Sequence, residues 1–146
     1  MFKHILITTD GSPLANKSAK AGIALAKALG AKVTAYFAAE PSEPVFADGY
    51  AFNVKVIQAL EQHAHEAGQK RVDVIGKLAK AAGVPCALLV TKAPTACEGI
   101  VAAAKKQKCD AIFMASHGRS GFAALLMGSV TQKVLAHTKV PVVVYR

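Results

Sequence analysis

Five short apolar runs, each rich in β-branched or small residues, alternate along the chain with four stretches of helical periodicity, and few architectures accommodate that order. The first run, Phe2 to Thr8, carries Ile5-Leu6-Ile7 and stops at Asp10-Gly11-Ser12-Pro13, so it reads as a buried strand ending in a turn. Lys32 to Ala39 supplies a second strand and Pro85 to Thr91 a third, around Ala87-Leu88-Leu89-Val90. Asp110 to Ser116 is the fourth and Val140 to Tyr145 the fifth. Ala111-Ile112-Phe113-Met114-Ala115 is apolar at every position, which suits a strand covered on both faces, and such strands belong to parallel sheets with helical crossovers. The alternation therefore predicts a doubly wound α/β sandwich, a mostly parallel sheet with helices on both faces. Pro141, which lacks a ladder donor, marks a strand start or a sheet edge.

The helices signal their ends. Leu14, Ser18, Ala21, Leu25 and Ala28 recur at spacings of three and four while Lys17, Lys20 and Lys27 line another face. Ser12 or Asp10 can cap that helix, Pro13 suits its first turn, and Gly30 supplies a left-handed residue at its end. From about Asn53 to Ala82 the positions Ile57, Leu60, Ala64, Ala67, Ile75, Leu78 and Ala82 make one stripe of a long helix, interrupted by Arg71, softened by Gly68 and Gly76 and ended by Gly83. Thr95-Ala96-Cys97-Glu98 has capping-box spacing for a helix to about Gln107, and Gly128-Ser129 precedes another, Val130 to His137. Glu40 to Gly49, with two prolines and three acids, reads as a loop.

With 146 residues, 53% of them hydrophobic and 18% charged, the chain can bury one core, and a single domain over residues 1–146 is expected. No apolar stretch reaches the length of a spanning helix, and Met1-Phe2-Lys3-His4 leads into the first strand without a cleavage pattern. A cytoplasmic location and no membrane partner follow as expectations. Cys86, Cys97 and Cys109 form no CxxC pair and read as small buried apolar residues. Eighteen Lys and Arg against nine Asp and Glu leave a net charge of +9, which attracts phosphate without regard to sequence. Lys27, Lys80, Lys105 and Lys106, however, fall in the last turns of expected helices, where a cation complements the macrodipole. Without interleaved aromatic and basic residues or a helix-turn-helix, specific nucleic-acid binding is not expected.

In an open parallel sheet, ligands bind beyond the carboxyl ends of the strands where the strand order reverses, which directs attention to the loops after the first and fourth strands. The first is Thr9-Asp10-Gly11-Ser12, whose carboxylate can accept from a ribose hydroxyl or an adenine amine; the same residues serve equally as a helix cap. The second is Ser116-His117-Gly118-Arg119-Ser120-Gly121, followed by Gly128-Ser129 at a helix start. Glycines at 118 and 128 would let the backbone approach a ligand, and a helix N-terminus holds phosphate through amide donors and dipole together, with no lysine required. Turn glycines and an ordinary cap explain the same residues.

Gly118, nine intervening residues, then Gly128-Ser129 resemble the second half of the signature G-x2-G-x9-G-[ST] of the universal stress protein family. Thr8-Thr9-Asp10-Gly11-Ser12 and Pro141-Val142-Val143-Val144 resemble that family's first and last strands, so the resemblance spans the chain, with Ala115 standing where the first signature glycine would be. The resemblance implies an open five-stranded sheet of order 3-2-1-4-5 in a Rossmann-like three-layer sandwich. It also implies a stress-response protein holding ATP or another adenine nucleotide, with or without Mg, between the ends of strands one and four. Position by position it puts Thr8 and Asp10 at the adenosine, Phe37 at the adenine, Met114, Ala115, His117 and Gly118 after strand four, and Gly128, Ser129 and Val130 at the phosphates. Arg119 joins them on charge alone, as a five-donor cation suited to phosphate.

Neither GxxxxGK[ST] nor GxGxxG occurs, so any nucleotide is held in another way. His63 and His65, two apart in a helix, face different sides and make no joint metal site. No Ser-centred elbow or orienting third group accompanies the serines, so no dedicated catalytic apparatus is expected, a weak ATP hydrolysis remaining open. An alternative keeps the fold without the nucleotide: a dimeric interaction module, suggested by Ala115 and by the apolar last strand. Pairing Val140 to Tyr145 with a second copy would remove an unpaired sheet edge.

Overall fold

A computed structural model describes residues 1–41, 54–118 and 127–146. Its elements run β1 His4–Thr8, α1 Pro13–Leu29, β2 Lys32–Ala39, α2 Val54–Ala82, β3 Cys86–Lys92, α3 Ala96–Lys106, β4 Ala111–Ala115, α4 Ser129–His137 and β5 Val142–Tyr145. The five strands form one sheet in the order β3-β2-β1-β4-β5, every ladder parallel. β1 is central, with Ile5 opposite Val33 of β2 and Ala111 of β4, and Ile7 opposite Ala35 and Phe113.

Strand alternation sends successive side chains of β1 into two cores. Ile5 and Ile7 join Val33 and Phe113 beneath Ala19 and Ile23 of α1 and Val72 and Ile75 of α2. Leu6 joins Tyr36, Ile112 and Met114 beneath Ile100 of α3 and Val134 of α4. Ile5, Leu6 and Ile7 expose no surface at all, each burial favouring the fold by about 1.5–3 kcal/mol. The apolar run that lacks alternation in the sequence is thus the strand covered by helices on both sides.

The helix ends follow local chemistry. Ser12 caps α1 by accepting from the Ala15 amide at 3.1 Å, Pro13 opens it, and Gly30 closes it in the left-handed conformation at φ 64°. Thr95 caps α3 by accepting from the Glu98 amide at 3.2 Å, the forward half of a capping box. Three expectations are adjusted. β5 begins at Val142, not Val140, because Pro141 has no N–H to donate; its carbonyl instead accepts from the Ile112 amide at 2.9 Å. Of the expected α2 stripe, Ile75 is buried, Leu78 and Ala82 are partly buried against the core, and Ile57 and Leu60 are exposed; the buried face of the helix runs instead through Gly68, Val72, Ile75 and Ala79. Cys97 and Cys109 are buried as expected, but Cys86, on the edge strand β3, is half-buried. Residues 42–53, which include most of the expected loop and the expected helix start at Asn53, lie outside the described residues.

His4 ties the start of β1 to β2, its Nε2 lying 2.8 Å from Thr34 Oγ1. Burial, reinforced by Lys32, holds its imidazole below the usual histidine value of 6.5. The folded protein therefore binds this proton less readily than the unfolded chain. The contribution of His4 is complete above pH 6.5 and is lost as the pH falls through its lowered folded value. Urea midpoints measured between pH 7.5 and 5 should fall with pH in this window, and His4→Gln should flatten that slope; an unchanged slope in the variant refutes the assignment.

Candidate functional site

The reversal of strand order falls between β1 and β4, where consecutive crossovers leave on opposite faces of the sheet. A cleft of about 600 Å³ opens there, at the carboxyl ends of β1, β2 and β4 and the amino ends of α3 and α4. Ten of the sequence-predicted residues line it: Thr8, Asp10 and Phe37 on one side, Met114, Ala115, His117 and Gly118 after β4, and Gly128, Ser129 and Val130 at the start of α4. Arg119 lies outside the described residues.

The turn after β1 is held by its own side chains. Thr9 Oγ1 accepts from the Gly11 amide at 3.0 Å, and Asp10 Oδ1 accepts from the Ser12 amide at 2.9 Å. These bonds fix the Asp10 carboxylate at the cleft mouth, with its Oδ2 directed at Gly118. The loop after β4 is drawn in equally firmly. Ser116 donates its amide to Tyr145 O at 2.7 Å and accepts from the Gly128 amide, also at 2.7 Å, while Thr131 Oγ1 donates to Ala115 O at 3.0 Å. The last residue of β4 and the first turn of α4 are thereby stitched together across sixteen positions.

At both signature glycines, protein packs where a side chain would stand. A side chain at 118 would run into the Asp10 carboxylate, and a Cβ at 128 would stand 3.1 Å from His117 Cα and 3.3 Å from Ser116 O. The space each leaves is occupied by protein, and the Gly128 amide is spent on Ser116 O. The donors at this end are those that follow: Gly128 is the N-cap of α4 and provides no side-chain cap, so the first-turn amides from Ser129 onward meet no side-chain acceptor from it. Together with the helix dipole they form an anion-favouring end facing the cleft. Ala115 sits in regular strand backbone, opposite Tyr145 of β5, where no left-handed conformation demands glycine.

Residues the sequence reading missed complete the walls. Ala38, Ala96 and Ile100 join the expected Met114 in an apolar lining on the α3 side, backed by Tyr36, whose hydroxyl shares a 2.8 Å hydrogen bond with Thr91 Oγ1. On the other side Arg71, from α2, lays its guanidinium 4.7 Å from the Phe37 ring centroid, a stacking worth about 0.5–1 kcal/mol where exposed. Its Nε lies 3.0 Å from where a Cβ on Gly11 would stand. Phe37, expected to meet adenine, thus has Arg71 over its ring, and Gly68 admits it against α2, since a Cβ there would strike the ring. Among the described residues, no cluster of His, Cys, Asp and Glu is arranged to hold a metal ion.

The universal stress protein family model matches residues 1–146. Universal stress protein MJ0531 of Methanocaldococcus jannaschii is 31% identical over 146 residues, covering all of this chain and 83% of that protein. The universal stress protein in the QAH/OAS sulfhydrylase 3′ region of Thermus aquaticus is 33% identical over 153 residues, covering all of both. Among solved structures, hypothetical protein MJ0577 matches with a TM-score of 0.82 at 26% identity, over 99% of this chain and 95% of its own. A universal stress protein solved in complex with cAMP matches with a TM-score of 0.72 at 21% identity, over 99% of this chain and 97% of its own.

The packing role of Gly128 has a direct consequence. Gly128→Ala should lower the stability of the ligand-free protein by about 1–3 kcal/mol, because the contacted His117 Cα belongs to backbone that cannot rotate away. Ser129→Ala, at an exposed position, should change it by less than about 0.5 kcal/mol. Urea unfolding without nucleotide measures both, and a neutral Gly128→Ala contradicts the packing account.

Proposed function

The chain belongs to the universal stress protein family, and from that membership we propose that it holds an adenine nucleotide, ATP or a close relative, in the cleft between β1 and β4 and acts in the cytoplasmic stress response. One observation carries the reading: a cleft of about 600 Å³ joins an apolar wall to a helix N-terminus without a side-chain cap. The base would lie against Ala38, Ala96, Ile100 and Met114, the ribose hydroxyls would donate to Asp10, and the phosphates would meet the amides of Ser129 and Val130, with His117 beside them. That a protein of this fold was solved with cAMP supports the ligand class. The reading assigns no catalytic step; Mg, if it accompanies the phosphates, would be carried in with them.

Ser129 offers a clean test because it is the first residue of α4, where proline is tolerated, and the residue before it, Gly128, already has the extended φ −70°, ψ 158° that a following proline requires. Ser129→Pro removes an amide donor while preserving the helix; Ser129→Ala removes only the hydroxyl. By calorimetry Mg-ATP and AMP should bind the wild type, and Ser129→Pro should weaken both about tenfold or more while leaving adenosine unchanged. No heat with any adenine nucleotide at high micromolar wild-type protein would sink the proposal.

A second proposal concerns assembly and holds with or without a nucleotide. β5 is an edge strand, and Val142, Val143, Val144 and Tyr145 are each only half-buried. Pairing this edge with that of a second copy would cover it and give a homodimer. Sedimentation should show twice the 15.2 kDa chain mass; a species of 15.2 kDa at all working concentrations rejects the dimer.

A further inference from the structure

The edge of the sheet opposite the cleft collects cations. Parallel strands all begin there, and the helices, running back against them, all end there. Lys27, Lys80, Lys105 and Lys106 occupy the last turns of α1, α2 and α3, where helix carbonyls favour a cation. The macrodipole does not account for Lys3 ahead of β1, Lys32 at the start of β2, Lys108 between α3 and β4, or Lys139 ahead of β5. All eight are exposed. The backbone brings them to one edge: the Lys32 amide donates to Lys3 O at 3.0 Å, the Lys3 amide to Asp110 Oδ2 at 2.8 Å, and the Lys108 amide to Lys105 O at 3.1 Å.

Little opposes this charge. Asp110 is the acid at this edge, and its carboxylate already accepts from the amides of Lys3 and, at 3.0 Å, His4. The other described acids lie elsewhere: Asp10 and Glu40 at the cleft, Glu98 in the first turn of α3, and Glu61, Glu66 and Asp73 well before the end of α2. None of the eight lysines makes an ion pair among the described residues; the pair that occurs, Lys92 with Glu61, stands at the far end of β3.

The chemistry of the patch narrows its partner. Among the described residues it contains lysine and no arginine, since Arg71 and Arg146 are at the cleft edge, so it offers hydrated point charges and not the planar forks that read base edges. Its nearby aromatic, Phe2, is partly buried against the core and offers no open platform for unpaired bases. What remains is neutralisation of a dense, regular row of charge. From Lys32 at β2 to Lys139 ahead of β5 is three strand spacings, about 14 Å, a length over which a duplex carries about eight phosphates.

We propose that the amino-terminal edge of the sheet, built by Lys3, Lys32, Lys108 and Lys139 with the helix-end lysines around them, docks on the phosphate backbone of double-stranded nucleic acid without regard to sequence. The surface is separate from the cleft and is independent of whether a nucleotide binds there.

Two variants of equal net charge decide the matter. One replaces the edge lysines (Lys3→Gln, Lys32→Gln, Lys108→Gln, Lys139→Gln); the other replaces exposed lysines elsewhere (Lys17→Gln, Lys20→Gln, Lys70→Gln, Lys133→Gln). Fluorescence anisotropy with two unrelated DNA duplexes of about 20 bp, over about 25–200 mM NaCl, should give equal affinities for the two sequences and a log–log salt slope of about −3.5 or steeper for the wild type. The edge variant should bind at least tenfold more weakly, its slope shallower by about 0.9 for each phosphate it no longer neutralises, while the control variant stays within about twofold. Three results would overturn the proposal: equal losses in both variants, a wild-type slope near zero, or wild-type binding to phosphatidylserine vesicles at a salt concentration where duplex is not held.

Discussion

Everything in this molecule follows from β1 being apolar on both faces. Ile5 and Ile7 need cover on one side and Leu6 on the other, so a single layer of helices could not satisfy the strand, and helices must arrive on both faces. With right-handed crossovers, the chain meets that need by building outward from β1 in one direction through α1 and α2, then returning to build in the other through α3 and α4. The point of return lies between β1 and β4, where the connecting loops diverge to opposite faces and leave a gap at the carboxyl edge. The cleft is therefore a by-product of how the central strand is covered. Its apolar α3 wall and its uncapped α4 end are supplied by the two helices that cover Leu6.

Within the cleft, space matters more than backbone conformation. Gly118 and Gly128 are glycines because Asp10 and the His117 backbone press against them, which brings the β1 turn, the β4 loop and the start of α4 into contact. The Gly128 amide closes that contact on Ser116 O, and Thr131 closes it a second time on Ala115 O. Such a double tie fixes the orientation of the first turn of α4, so its donors point in a set direction before any ligand arrives, which lowers the ordering cost of binding. Ala115 fits this account without difficulty: the position contributes its carbonyl to the tie, and a methyl on a regular strand residue does not disturb it.

Strand identity and helix termini were legible because each rests on local signals: unbroken apolar runs, Ser12 with Pro13, Thr95 three before Glu98, and Gly30 beyond Leu29; the strand order came with the family resemblance. The site residues on β1, β4 and α4 were legible for a related reason, being joined to sequence features that end a strand or open a helix. Arg71, Tyr36, Ala96 and Ile100 were not. Arg71, Tyr36 and Ile100 come from strand and helix interiors and Ala96 opens α3, and only packing over separations of tens of residues brings them to one cleft. Gly68 hinted at Arg71, since a glycine inside a helix that Phe37 needs for close approach puts the residue one turn later over the same ring. The spacing Gly118 to Gly128 could not reveal whether bare backbone faces ligand or protein, because both uses require the same missing side chain.

The polarity of a parallel sheet also explains why the two ends of this protein differ electrostatically. Every described helix directs its amino end, with unpaired N–H groups, toward the carboxyl edge of the strands, and its carbonyl end toward the other edge. An anion is thus favoured at the cleft by backbone alone, which is why Asp10 and Glu40 can stand beside it. At the opposite edge the backbone presents partial negative charge, and lysines must first compensate it before any excess is felt. The four lysines outside helix ends are that excess. Five residues of β1 separate the edges by about 16 Å, beyond the screening length of about 8 Å at physiological salt. The two surfaces therefore act on their ligands independently, one through oriented amides in a partly enclosed cleft and the other through mobile charges in open solvent, and only the second should respond steeply to salt.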